Sequence, residues 1–117
     1  MHKLRTEETI KKLEAHQSNT SKEEYNSILH KAPVLKSFKY WNIINNDFPY
    51  DNIAEVHHLL VPKRHVDEEG DLESDEYIEL LSIKKNLGTD YDSIIENLPS
   101  VRSIQGHYHL HLIKLIK

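Results

Sequence analysis

The chain has 117 residues, of which 38% are hydrophobic, and it carries a formal net charge of -4. This length and composition predict a single compact domain, and the acidic balance excludes the broad basic surface that binds long nucleic acids. The sequence contains no cysteine, which excludes disulfides, thiol nucleophiles and thiolate metal sites. No apolar run approaches the length that spans a membrane, and the N-terminal residues lack the pattern of a secretory signal. We therefore expect a cytoplasmic protein without a membrane partner.

Residues 1–33 are predicted to form an N-terminal helical extension. Thr6 can cap a first amphipathic helix, which should end at the polar run of residues 17–20. Ser21 has the capping-box position of a second short helix that reaches about Leu29. We expect this helical hairpin to serve packing or dimerisation rather than catalysis.

Residues 34–117 are predicted to form the main domain. Its first part, residues 34–44, is rich in aromatic and β-branched side chains and predicts one or two strands. A turn-rich loop then leads to a short apolar strand at residues 56–61, which Pro62 stops. The loop therefore leads directly into the strand segment that carries His57.

A helix and further strands are predicted in the second half of the chain. Ser74 begins a helix whose hydrophobic residues lie at helical spacing, and we expect it to cover the sheet. Those residues are Tyr77, Ile78, Leu80, Leu81 and Ile83. Residues 91–98 and 101–116 supply the remaining strands. The order of helices and strands predicts an α+β domain built on an antiparallel β-sheet.

Three histidines alternate with hydrophobic residues near the end of the chain. Because residues two apart on a strand share a face, His107, His109 and His111 are predicted to form a row of imidazoles. A neutral imidazole can attack a phosphorus centre while neighbouring N–H groups stabilise the phosphoryl oxygens, which divides hydrolysis into two displacements. With an ordinary pKa of about 6.5, the members of such a cluster can differ in protonation at neutral pH.

Two segments carry a resemblance to a known family. The segment His107-Tyr108-His109-Leu110-His111-Leu112-Ile113 resembles the motif of the histidine triad (HIT) superfamily. The segment His57-His58-Leu59-Leu60-Val61-Pro62-Lys63-Arg64-His65-Val66 resembles the second marker of that family. The resemblance covers roughly residues 38–113 and implies a HIT-like fold with a covering helix. Members of the family are nucleotide hydrolases and nucleotidyl transferases that act on an α-phosphate, so the resemblance implies a small nucleotide substrate.

The resemblance also assigns roles to the four histidines. His109 would be the nucleophile that forms a nucleotidyl-histidine intermediate, and His111 would contact the phosphate and assist the leaving group. His107 and His57 would orient the site. The transferase and phosphorylase branches usually have Gln at the position of His111, so the motif is closest to the hydrolase branches. The implied substrate is a nucleoside phosphoramidate or a dinucleoside polyphosphate.

Three further residues are candidates for substrate binding by the same resemblance. Asn46 would contact the ribose hydroxyls, and Asn97 would contact the phosphate. For Asn97, a polar residue that ends a strand is nearly as good an interpretation. Ser103 lies one residue from the position at which many members hold phosphate with a serine. We expect His58 to face away from the site and His65 to end a turn.

Two alternatives stay open at this point. Histidines on one face of a strand, together with His57, could bind zinc or another divalent ion, although the resemblance itself requires no metal and no cofactor. The altered segment before His107 also allows a non-catalytic nucleotide-binding or interaction module with the same fold. A homodimer is a further expectation of the resemblance, because many small members of the family pair.

Overall fold

The computed structural model describes residues 4–19, 32–98 and 107–117. Two helices and five strands lie in this part of the chain, together with a short 3-10 helix at Glu69–Asp71. In chain order they are helix α1 (Glu7–Asn19), strands β1 (Val34–Ser37), β2 (Trp41–Asn45) and β3 (Ala54–Pro62), helix α2 (Ser74–Lys85), and strands β4 (Ser93–Ile95) and β5 (Leu110–Leu115).

The five strands form one antiparallel sheet in the order β1-β2-β3-β5-β4. This confirms the predicted α+β fold with an antiparallel sheet. Strand β3 lies between β2 and β5, and its register pairs His57 with Ile113 and Leu59 with His111. Since paired residues point to the same face and residues two apart share a face, His57 and His111 are diagonal neighbours on one side of the sheet.

The other face of the sheet packs against helix α2 and forms the main core. The buried members of this core are Trp41, Ile43, Leu60, Val66, Leu80, Ile83, Leu87, Tyr108, Leu110 and Leu112. The indole Nε1 of Trp41 donates a hydrogen bond of 2.9 Å to the carbonyl oxygen of Glu76 in the helix. The helix therefore covers the sheet as predicted, and the face that carries His57 and His111 is left for the site.

The predicted apolar face of α2 is partly wrong. Leu80 and Ile83 are buried, whereas Ile78 is 64% exposed and Leu81 is 53% exposed. The buried side of the helix recurs at Glu76, Leu80 and Ile83, because only positions three or four residues apart share a face. Hydrophobicity alone therefore does not identify the buried residues of this helix, because Tyr77, Ile78 and Leu81 are all exposed.

Thr6 caps helix α1 as predicted, and the loop before β3 anchors this cap. The backbone N–H of Thr9 donates to Oγ1 of Thr6 at 3.3 Å, and Thr6 donates to the Asp51 carboxylate from both its backbone N–H and its hydroxyl. Burial alone would raise the pKa of Asp51, but hydrogen bonds from Thr9 and Thr6 hold it below its usual range. The helix continues to Asn19, through part of the predicted break.

The remaining strand bounds differ from the predicted ones. Strand β3 begins at Ala54 and includes Pro62, β4 contains only Ser93–Ile95, and β5 begins at Leu110. His107 and His109 therefore precede the strand that contains His111. The predicted second helix at residues 21–29 lies outside the described residues. No helix in the described part of the chain has the length and apolar character that would let it cross a bilayer.

Candidate active site

His57 of β3 and His111 of β5 meet at the centre of the site. Nε2 of His57 lies 2.8 Å from Nδ1 of His111, and the ring centroids are 4.9 Å apart. Both side chains are buried. The pairing of β3 with β5 positions the two rings, because it places them diagonally on one face.

Tyr50, in the loop before β3, determines which nitrogen of His57 carries the proton. The backbone N–H of Tyr50 donates a hydrogen bond of 2.8 Å to Nδ1 of His57. A neutral imidazole carries one N–H, so an accepting Nδ1 places the proton on Nε2. Nε2 of His57 then donates to Nδ1 of His111, and the proton of neutral His111 lies on its Nε2.

Tyr50 and Asn97 enclose the other side of His111. The ring of Tyr50 stacks on the His111 ring at 5.0 Å, and Asn97 Nδ2 donates to the Tyr50 hydroxyl at 2.8 Å. The same amide nitrogen lies 3.2 Å from Nε2 of His111, and since both nitrogens carry protons in this tautomer the two are neighbours without a hydrogen bond. Asn97, which follows β4, is thus brought to the site, and the fully buried Tyr50 is a site residue that the sequence analysis missed.

Burial keeps the two central histidines neutral. Burial first, and then the positive charge of Arg5, lower the pKa of His57 to about 3. Burial first, and then the neighbouring His109 and His57, lower the pKa of His111 to about 2. Taking a charged imidazole out of water is costly, so both rings are uncharged at pH 7.

The backbone carbonyl of His107 determines which nitrogen of His109 carries the proton. Its Nδ1 lies 2.9 Å from the backbone carbonyl oxygen of His107. A carbonyl oxygen can only accept a hydrogen bond, so Nδ1 carries the proton and Nε2 carries the lone pair. The ring lies edge-on to His111 with a centroid distance of 5.0 Å. The imidazole of His109 therefore lies directly beside that of His111.

His107 contacts the loop that follows β3. Its Nδ1 lies 3.3 Å from the carbonyl oxygen of Val66, and its ring stacks on His65 at 5.2 Å. Arg64 ties this loop to helix α2 through an ion pair of 2.7 Å with the buried carboxylate of Glu76. The ring of His65, which we expected only to end a turn, thus lies against the first histidine of the row.

The remaining predicted residues fall in different places. Nδ2 of Asn46 lies 3.2 Å from Nε2 of His57, and its Oδ1 accepts a hydrogen bond of 2.9 Å from the N–H of Phe48. Asn46 is therefore at the site. His58 lies on the opposite face, as expected, with Nδ1 2.7 Å from the hydroxyl of Tyr91. Ser103 lies outside the described residues.

A cation from the N-terminal segment also reaches the site. Arg5 is only 4% exposed, and its Cζ lies 4.6 Å from the centre of the Tyr50 ring. Its Nε donates a hydrogen bond of 2.9 Å to the carbonyl oxygen of Phe48. Nothing in the local sequence marks Arg5 as a site residue, because the contact joins segments more than forty residues apart.

Similar solved structures have the same architecture. A HIT family hydrolase from Clostridium thermocellum superposes with a TM-score of 0.59 at 20% identity, over 80% of this chain and 90% of that one. A HIT family hydrolase from Legionella pneumophila gives 0.53 at 22% identity, over 74% and 87%. A histidine triad nucleotide-binding protein from Candida albicans gives 0.54 at 18% identity, over 80% and 78%.

The chain has the histidine triad fold. The resemblance that the two sequence motifs indicate is thus confirmed at the level of the fold. No protein-family profile and no curated protein matches the sequence itself. In this histidine triad fold, His57 of the first motif and all three histidines of the second are buried in the described structure.

Proposed function

We propose that this protein is a nucleotide hydrolase that cleaves at the α-phosphate of a nucleoside phosphoramidate or a dinucleoside polyphosphate. The observation that carries this proposal is the hydrogen bond between Nδ1 of His109 and the carbonyl oxygen of His107. It fixes the proton on Nδ1 and leaves Nε2 as the nucleophilic atom. The names of the similar structures, HIT family hydrolases and a histidine triad nucleotide-binding protein, agree with this reaction class.

In the first displacement, Nε2 of His109 attacks the α-phosphorus. A P–N bond forms, and the bond between phosphorus and the leaving group breaks. The electron pair of that bond stays on the leaving group, which the Nε2–H of His111 stabilises by a hydrogen bond and solvent protonates where the chemistry requires it. The carbonyl oxygen of His107 stabilises the imidazolium that forms on His109.

In the second displacement, water attacks the phosphorus of the nucleotidyl-histidine intermediate. The P–N bond breaks, its electron pair returns to Nε2 of His109, and one proton of the water passes to solvent. The products are a nucleoside monophosphate and the regenerated neutral imidazole. Both displacements use the same in-line positions on either side of phosphorus, so the site needs one preorganised set of donors.

The other site residues hold this arrangement. His57 directs the proton of His111 to Nε2 through their 2.8 Å contact. We assign ribose contact to Asn46 and phosphate contact to Asn97, and Ser103 stays a candidate for the phosphate. Because His rather than Gln stands at position 111, we favour hydrolysis over transfer.

The metal-site alternative finds no support in the geometry. Among residues 4–19, 32–98 and 107–117, no group of three or more His, Cys, Asp or Glu side chains is arranged to hold a metal ion. Nε2 of His57 and Nδ1 of His111 also hydrogen-bond to each other, so these two nitrogens are not both available as metal ligands.

The proposal is tested by turnover of adenosine and guanosine phosphoramidates and dinucleoside polyphosphates, with nucleoside monophosphate release as the readout. Native protein should release the monophosphate, and His109→Ala should lose this activity while it stays folded. His58→Gln is the matched control, because His58 neighbours His57 but lies on the opposite face. An alkaline quench and intact-mass measurement should detect a nucleotidyl adduct in native protein and none in His109→Ala.

Two results would contradict the hydrolase. If native protein and His109→Ala are equally inactive but both bind nucleotide, the non-catalytic module is correct. If His109→Ala retains the native rate, His109 is not the nucleophile. The homodimer and the cytoplasmic location stay predictions, and sedimentation equilibrium at micromolar concentration checks the first.

A further inference from the structure

Arg5 holds a buried positive charge beside the histidines, at the end of the chain farthest from the triad motif. Its guanidinium carbon lies 4.6 Å from the centre of the Tyr50 ring. That ring in turn lies 4.5 Å from the ring of His57 and 5.0 Å from the ring of His111. One aromatic ring therefore separates the cation from the centre of the site.

The backbone around Arg5 fixes the position of this cation. Asn52 donates hydrogen bonds from its backbone N–H to the carbonyl of Leu4 at 3.0 Å and from its side chain to the carbonyl of Arg5 at 2.8 Å. With the bond from Arg5 Nε to Phe48, these contacts hold the segment on the loop that carries Tyr50. The charge is thus preorganised before any ligand binds.

The site needs a positive charge that its central pair does not supply. His57 and His111 are uncharged at pH 7, so they offer no net charge to a phosphate. Arg5 is a permanently charged group that acts on both rings, and, in addition to burial, its charge lowers the pKa of each of them. Arg5 therefore contributes a positive potential at the two rings.

A positive potential has two consequences of the same origin. It disfavours an imidazolium at the rings, and it favours an anion at the same place. The low dielectric of a buried site strengthens both effects relative to water. Because Arg5 is 4% exposed, its charge acts on a bound anion through this field and not by direct contact.

We propose that Arg5 is a specificity-determining residue that makes the histidine site selective for anionic, phosphorylated ligands over their uncharged counterparts. The inference rests on the proposed nucleotide-binding function and deepens it. It makes the N-terminal segment a part of the binding site and not only a packing element.

The experiment measures the dissociation constants of AMP and of uncharged adenosine by calorimetry. Native protein is compared with Arg5→Met, which keeps an aliphatic side chain over Tyr50 but removes the charge, and with Arg5→Lys, which keeps the charge. Thr9→Val is the structural control, because it removes a 2.6 Å hydrogen bond to Asp51 that anchors the same segment and leaves Arg5 in place.

We expect Arg5→Met to weaken AMP binding roughly tenfold, the effect of one nearby buried charge, with adenosine binding unchanged. Arg5→Lys and Thr9→Val should keep the native ratio of AMP to adenosine affinity. An equal loss for both ligands in Arg5→Met would reduce Arg5 to a structural residue and overturn the inference, as would unchanged AMP binding. If Arg5→Met does not fold, Arg5→Gln takes its place as the uncharged variant.

Inorganic pyrophosphate separates this inference from the hydrolase proposal. If pyrophosphate binds native protein more tightly than Arg5→Met but no nucleotide is turned over, the role of Arg5 stands and the hydrolase fails. If nucleotides are turned over and Arg5→Met keeps the native preference for AMP over adenosine, the hydrolase stands and the role of Arg5 fails. If native protein binds neither AMP nor pyrophosphate, both are wrong.

Discussion

Nε2 of His57 donates a hydrogen bond to Nδ1 of His111 across 2.8 Å, and this contact connects the two central strands of the sheet at the candidate active site. The direction of the bond follows from Tyr50, because its backbone N–H donates to Nδ1 of His57 and leaves the proton of that ring on Nε2. Protonating either imidazole disrupts the arrangement, because His57 would lose its acceptor for Tyr50 or His111 would lose its acceptor for His57.

The first prediction is that the protein loses stability as the pH falls below about 6.5. The pKa values of His57 and His111 are about 3 and about 2 in the folded state, while unfolded histidine titrates near 6.5. Between these values the unfolded state binds more protons, so the free energy of unfolding should fall by up to about 1.4 kcal/mol per pH unit for each histidine. Urea unfolding at pH 7.5, 6.0 and 5.0 measures this slope.

The variant His57→Gln separates the contribution of the two histidines to this pH dependence from that of other acid-sensitive groups. His57→Gln should show a smaller slope over the same pH range, because one of the two titrating groups is gone. The carboxylates of Asp51 and Glu76, whose pKa values are lowered, lose their contribution only at more acidic pH. A stability that is constant from pH 7.5 to 5.0 would contradict the neutral, buried pair.

The second prediction concerns the tautomers of the site histidines. At pH 8, nitrogen-15 correlation spectra should show His57 and His111 with the proton on Nε2 and His109 with the proton on Nδ1. These forms follow from the donors and acceptors that each ring faces. An Nε2–H tautomer for His109 would remove the lone pair from the atom proposed to attack phosphorus, and with it the proposed first displacement.

The alternating pattern predicted which side chains share a face, but not where the strand begins. Tyr108, Leu110 and Leu112 pack in the core under α2, and the histidines between them face the other side. The alternation of buried apolar and histidine side chains continues at His107 and His109, although neither residue belongs to the ladder of β5. The length of a hydrogen-bonded strand depends on the neighbouring strand that pairs with it. The local sequence alone therefore does not predict where β5 begins.

The third prediction compares two adjacent leucines of helix α2. Leu80 is 1% exposed and packs in the main core, whereas Leu81 is 53% exposed. Leu80→Ala should lower the free energy of unfolding by about 2 to 5 kcal/mol, because it removes buried surface and leaves a cavity. Leu81→Ala should change it by less than about 0.5 kcal/mol. Urea unfolding of the two variants measures this difference. Equal losses of unfolding free energy would show that the helix has a different buried face.

The parts of the site that the sequence did not predict depend on long-range contacts. The four histidines have a local pattern, and Asn46 and Asn97 were found through the family resemblance. Tyr50 belongs to a loop whose composition indicates only a turn, and its role arises when β3 and β5 bring His57 and His111 against it. Its identity as an aromatic residue was visible in the sequence, but its partners are set by the tertiary structure.

The fourth prediction separates the ring of Tyr50 from its hydroxyl. Tyr50→Phe keeps the ring that stacks on His111 and the backbone N–H that holds His57, but it removes the acceptor of the Asn97 amide. The lost hydrogen bond should lower the free energy of unfolding by about 1 kcal/mol. Turnover should fall several-fold through a looser Asn97, whereas the tautomer of His57 should not change. Urea unfolding, steady-state kinetics and the nitrogen-15 spectrum measure these three effects on one variant. A changed His57 tautomer would mean that the hydroxyl, and not the backbone N–H, orients that ring.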